Sequence, residues 1–183
     1  MPIGRRHLIM MIPAASIVLA AGEAWASAQE IDADASAALQ RLYAKSTKAR
    51  DMAKTAKGIL IFPNIVKAGF LVGAQSGDGV LRIGGKSTAY FNISAGSFGL
   101  QAGVQSFSYA MFFMTQSALD YLDKSDGWQV GSGPSVVVID KGAAASTTST
   151  TLSQDVYAFP FGQKGLMAGL GLEGSKITHI KPS

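Results

Sequence analysis

This 183-residue chain predicts an α+β fold: a mainly antiparallel, glycine-rich, strongly curved or barrel-like sheet, with a basic N-terminal helix and one further short helix. Three observations predict it. From Ser87 to Leu119, 33 consecutive residues carry no charge, yet the run is studded with Ser, Gln, Asn and Gly and is too polar for a spanning helix. Within it Phe98, Leu100, Ala102 and Val104 alternate with Gly99, Gln101, Gly103 and Gln105, the period of a strand with one apolar face. From Ser36 to Lys57 there are six basic residues against one acid, a local charge of +5, whereas Gly58 to Ser183 carries only +1.

The N-terminus reads as an export signal over residues 1–28. Arg5 and Arg6 form a charged start, Leu8 to Ala21 an apolar core, and Ala24-Trp25-Ala26 and Ala26-Ser27-Ala28 two small-residue cleavage patterns. The second pattern places the mature start at Gln29. The adjacent arginines loosely resemble a twin-arginine signal, with general secretion as the alternative. Residues 29–183 then form one domain of a size that sustains its own core, with a net charge of +3. The absence of cysteine excludes disulfides, thiolate metal sites and a lipidated N-terminal cysteine.

Along this domain, Gln29 to Ala35 is an acidic lead-in, and Asp34 or Ser36 can cap the helix that follows. Ser36 to Lys57 has no Gly or Pro and is rich in good helix formers, and Gly58 ends it. Ala38, Leu42, Ala49, Ala53 and Ala56 fall on one narrow stripe, with Arg41, Lys45 and Lys48 on one margin and Arg50, Lys54 and Lys57 on the other. Such a stripe suits docking on a sheet with basic side chains fanning outward.

From Gly58 the period changes to two. Gly58–Phe62, Ala68–Gln75 and Val80–Ile83 read as strands, the last two joined by a hairpin at Ser76-Gly77-Asp78-Gly79. Gly84-Gly85-Lys86 is the next turn, followed by strands at Thr88–Ile93, Gly96–Gln105 and Ser108–Phe113. Thr115–Lys124 is the short helix, with Ala118, Leu119, Tyr121 and Leu122 at helical spacing. Gln129-Val130, Ser135–Ile139, Val156–Phe161, Gly165–Leu172 and Ile177–Ile180 complete the strands. Gly142–Thr151 is low-complexity and fits either a loop or a Thr-rich strand. Phe62-Pro63 before Lys67 and Phe159-Pro160 before Lys164 form a faint repeat. It fits two edge strands solving one bending problem, or a pseudo-symmetric pair of hairpins in a barrel-like sheet.

Catalytic signals are lacking. With His7 in the signal, His179 is the one remaining histidine, in an alternating strand-like run. Asp120, Asp123 and Asp126 have a spacing that could hold a hard cation, but an exposed helix end accounts for them, so no metal or other cofactor is expected. The Gly69-to-Gly73 and Gly165-to-Gly169 runs lack the Gly-Lys-Ser/Thr of a phosphate loop. Gly131-Ser132-Gly133-Pro134-Ser135 lacks the spacing of a nucleophile elbow. The chain therefore reads as a non-enzyme. An exported protein meets little nucleic acid. The basic helix fits either an anionic lipid surface or a merely solvated helix face.

Ala56-Lys-Gly-Ile-Leu-Ile-Phe-Pro-Asn-Ile-Val-Lys-Ala-Gly-Phe70, followed by Gly73 and Gly77–Leu81, resembles the signature block of the SYLF, or Ysc84 actin-binding, family. Ser97–Gln105, Gly133-Pro134, Val156–Leu166 and Glu173-Gly174 resemble its later blocks in order, so the resemblance runs from about Leu39 to Ile180. It implies a lipid-binding domain with a preference for phosphoinositides or other anionic lipids, and some members of the family bind actin. Carried over by position, the lipid-binding residues are Arg41, Lys45, Lys48, Arg50, Lys54 and Lys57, with Lys67 as an addition. For an exported chain, anionic phospholipid at the envelope is the expected partner and actin is not. The alternative is an envelope protein-interaction or assembly module that pairs with another, unidentified envelope protein through a sheet edge or the glycine-rich strands.

Overall fold

The computed structural model describes residues 26–139, 154–164, 172 and 174–183. The expected export signal as far as residue 25, the Gly142–Thr151 tract and nearly all of the strand expected over Gly165–Leu172 lie outside the described residues.

The chain runs α1 (Ala28–Lys45), α2 (Thr47–Ala53), β1 (Gly58–Ile83), β2 (Lys86–Phe113), α3 (Gln116–Lys124), β3 (Trp128–Gln129), β4 (Val136–Val138), β5 (Val156–Lys164) and β6 (Lys176–Ile180). Among the described residues, six strands form one curled, half-barrel sheet in the order β3-β6-β2-β5-β4, with β1 on the other edge of β2. Every pairing is antiparallel except β4 with β5.

One ribbon dominates the molecule. The six strands expected between Gly58 and Phe113 are two, β1 and β2, paired from Gly58↔Phe113 to Ile83↔Lys86. The turn falls at Gly84-Gly85, where φ values of +57° and +79° suit a two-residue hairpin loop that glycine adopts freely. The hairpin expected at Ser76–Gly79 does not form. Asp78 and Gly79 sit mid-strand, opposite Asn92 and Phe91.

A glycine is needed there for a different reason. A straight strand of 26 residues would run about 85 Å, far beyond a domain of this size. The ribbon folds back, and β1 crosses over its own beginning. A Cβ on Gly79 would lie 2.4 Å from the Ile61 carbonyl oxygen and 2.5 Å from the Phe62 ring, and one on Gly77 would lie 2.6 Å from the Asn64 oxygen. The bare backbone of Gly77–Gly79 thus permits the close approach. Register shifts at Phe62/Ile65, Gly69/Leu71 and Leu81/Arg82 supply the curvature.

The first shift contains Pro63, which cannot donate to a ladder, and the Ser108 hydroxyl donates to its carbonyl at 2.6 Å. The two aromatic-proline steps flank one stretch of β2: Phe62 faces Tyr109 from one side and Pro160 faces it from the other. The β5 side also has a shift, between Ser106 and Ser108, with Gly162 at φ +66°. β1 has β2 as its partner, while β5 lies between β2 and β4, so only the first step is on an edge strand among the described residues.

The sheet separates two apolar cores. On the inner face Leu60, Phe62, Ile65, Phe91, Ile93, Tyr109, Met111, Phe113, Trp128 and Ile177 pack with Ala118, Leu119 and Leu122 of α3. On the other face Ile61, Val80, Ala110, Phe112, Tyr157 and Phe159 pack against α1 and α2. The short helix forms where expected, capped by the Thr115 hydroxyl, which accepts from the Ala118 amide at 3.3 Å. Its Tyr121 turns outward.

Candidate membrane-contact surface

The helical segment begins earlier than expected and is broken. Ser27, not Asp34 or Ser36, caps α1: its hydroxyl accepts from the Glu30 amide at 3.3 Å, and the Glu30 carboxylate accepts from the Ser27 amide at 3.0 Å. That reciprocal bonding holds the Glu30 carboxyl below its usual range. The single helix expected over Ser36–Lys57 is interrupted at Ser46, which is extended (φ −136°, ψ 104°). Its hydroxyl accepts from the Ala49 amide at 3.1 Å, so Ser46 ends α1 and caps α2 at once. Serine competes with helical hydrogen bonding through such local side-chain bonds, and here it does so without any Gly or Pro.

The predicted stripe docks on the sheet. Ala38, Leu42 and Ala49 are buried, and Ala53 and Ala56 are half-buried. Ile31, Ala35, Leu39 and Met52 join them, a wider apolar face than the alanines alone. With the apolar face used inside, the basic residues turn outward: Arg41, Lys45, Arg50, Lys54 and Lys57 are exposed and Lys48 is half-buried.

Two of these cations are engaged locally. The Arg50 guanidinium donates to the Tyr43 carbonyl across the helix break. Lys54 pairs with Asp51 at 2.7 Å, and that hydrogen bond with the lysine charge holds the Asp51 carboxyl below its usual range. Lys67 is not on the helices. It lies on β1 opposite Gln105, half-buried.

The longer helix also changes the electrostatics. From Ala28 to Lys57 the segment carries six basic and four acidic residues, a net +2 in place of the +5 counted from Ser36. Glu30, Asp32 and Asp34 occupy the first turns and the basic residues the later ones, the polarity that complements a helix dipole.

The acidic end is tied into a polar clasp that the sequence did not reveal. Arg82 Nη2 donates to the Asp32 carbonyl and to the Ser36 hydroxyl, both at 2.8 Å. The Asp32 carboxylate accepts from Ser87 at 2.7 Å and from the Tyr90 hydroxyl at 3.0 Å. Burial, then the bond to Asp32, pushes the Tyr90 hydroxyl pKa up. The only available signal was one arginine near a hairpin turn, with nothing to link it to an aspartate 50 residues earlier.

Other candidates resolve into structural roles. His179 is an exposed strand residue, its ring 4.2 Å from Phe91 and its Nε2 3.2 Å from the Asp123 carbonyl oxygen. In the Gly131–Ser135 loop, the Ser132 carbonyl accepts from the Trp128 indole at 2.8 Å. Ser135 donates through its amide and hydroxyl to Asp155. Among the described residues no three metal-ligating side chains gather, and no described helix is long and apolar enough to cross a membrane.

The described residues thus form a curled half-barrel sheet with helices docked on it. Residues 94–181 match the family described as Ysc84, Las17-binding protein actin regulator, so over these residues the chain is similar to the Ysc84, or SYLF, family, whose domains are of a lipid- or actin-binding type. No curated protein matches the chain. The match begins near the middle of β2 and includes α3 and β3 to β6, so the basic helices and the Ala56–Phe70 block precede it.

Proposed function

We propose that this chain is a non-catalytic, exported domain that binds anionic phospholipid headgroups, of the phosphoinositide kind in their chemistry, at an envelope membrane surface. The contact is made by Arg41, Lys45, Lys48, Arg50, Lys54 and Lys57, with Lys67 as a secondary contributor. One observation carries the reading. The apolar face of α1 and α2 is consumed by docking, while Arg41, Lys45, Lys48 and Lys57 have no acidic partner among the described residues. Solvated cations on a rigid support suit a surface contact that needs no insertion, each contributing about 1 kcal/mol near an anionic bilayer before salt screening.

Co-sedimentation with vesicles tests this. The mature chain is expected to bind vesicles containing phosphatidylglycerol, to release them with added salt, and to ignore neutral ones. Replacing Arg41, Lys45 and Lys48 together with Gln is expected to weaken binding roughly 100-fold. Thermal stability stays within about 0.5 kcal/mol, because exposed charges contribute little to folding. Equal binding to neutral and anionic vesicles at low salt overturns the proposal.

A protein-interaction or assembly role is the second reading. It is favoured by β1, 26 residues long and paired only with β2 among the described residues. Light scattering that shows a strict monomer over a wide concentration range removes its self-assembly form.

A further inference from the structure

We infer that the bend of the β1–β2 ribbon is a second lipid-contacting surface, separate from the basic helices, which dips an acid-free valine face into an anionic bilayer. The inference rests on the lipid-binding reading above and adds a site to it.

Residues directly opposite in an antiparallel ladder share a face. Val66 faces Ser106, which on its other side faces Lys164, so these three residues of β1, β2 and β5 lie in one row. Ala68 and Val104 form the next row of that face. Beyond the register shift, Val72 and then Ala74 opposite Gly96 continue it. The face is bare. Val66 is 40% exposed, Val72 62% and Val104 70%, and Ala68, Ala74 and Gly96 are exposed as well. None of them belongs to either packed core. The valines are thus exposed together on one strand face, where a strand of an ordinary soluble sheet would carry polar side chains.

The charges select the occupant. Across β1 residues 64–77, β2 residues 94–107 and β5 residues 159–164, the charged side chains are Lys67 and Lys164, with no acid. Lys164 stands in the Val66 row and Lys67 on the reverse face of β1. Two copies docking through this patch would bring their two Lys164 side chains onto one interface without a counter-charge. An apolar surface rimmed by anions matches it: the valines enter the acyl boundary while long lysine stems carry their ammonium groups to phosphate level.

The chain has no cysteine, so a single introduced thiol is labelled uniquely. Val104→Cys and, as a control on exposed α3, Ser117→Cys would each carry an environment-sensitive nitrobenzoxadiazole dye. On titration with phosphatidylcholine–phosphatidylglycerol vesicles, the dye at 104 is expected to brighten and shift to the blue, and the dye at 117 to stay unchanged. Val72→Asp and Val104→Asp, checked for an unchanged melting temperature, are each expected to weaken vesicle binding by about tenfold, the loss of one buried valine. If the chain binds vesicles but the dye at 104 does not respond and the Asp variants bind normally, the bend contact is overturned and the helix contact stands. Failure of the unmodified chain to bind anionic vesicles overturns both. A blue shift that grows with protein concentration in the absence of vesicles assigns the face to self-association and overturns the inference.

Discussion

The same two strands lead opposite lives at the two ends of the folded ribbon. At the strand ends Leu60, Ile61 and Phe62, and Tyr109 through Phe113, are all fully buried in succession. Both faces of the sheet are covered there, by α3 and β3 on one side and by α1 and α2 on the other. At the bend, Val66, Val72 and Val104 of those strands stand in solvent. Apolar residues are present in both places, so composition does not separate them. Coverage does: a strand buried on both faces supports the fold, and one bare on one face offers a surface.

That contrast can be broken in order of size. Phe112→Ala removes an aromatic side chain lying edge-on to Phe159, 5.3 Å between ring centroids, beneath the helices. It is expected to cost about 3–5 kcal/mol in denaturant unfolding, whereas Val104→Ser changes stability by less than about 0.5 kcal/mol. Comparable losses at both positions would mean that the bend is packed after all.

Gly79→Ala tests the fold-back itself. Its methyl would meet the Ile61 carbonyl oxygen and the fully buried Phe62 ring. A destabilisation of about 3 kcal/mol is expected, against a negligible change for Gly96→Ala at the bend, where a Cβ meets nothing. Thermal melts of the two variants decide it.

The smallest effect is electrostatic. The Ser135 amide and hydroxyl, then the Thr115 hydroxyl, hold the Asp155 carboxyl below its usual range. A carboxyl with a lowered folded-state pKa stabilises the fold above its unfolded value and loses that contribution as pH falls through the folded one. Asp155→Asn is therefore expected to be slightly less stable at neutral pH and to lose less stability on acidification. A parallel pair of stability–pH curves would refute this.

Much was legible in advance. The period-two alternation marked nearly every strand segment, and Ala38, Leu42 and Ala49 of the helical stripe are buried where they were expected. The true start of α1 was also written in the chain, as the Ser27–Glu30 capping box, but the same small residues fit the end of an export signal. The break at Ser46 was not legible. A serine within a run of helix formers is ordinarily tolerated, and only its bond to the Ala49 amide shows that it caps.

The sequence by itself determined that a basic helical segment precedes a nearly neutral, extended body with one further short helix, and that no thiol chemistry is available. These follow from periodicity, propensity and composition, which act locally. Tertiary structure decided the rest. It made one folded ribbon of six short strands and turned Asp78-Gly79 from a hairpin into a crossing point. It tied Asp32 to Arg82 and Tyr90, and it left valines bare at the bend while burying their neighbours. Each of these depends on which distant segment comes to lie alongside, and the local pattern is the same whether a face is later covered or not.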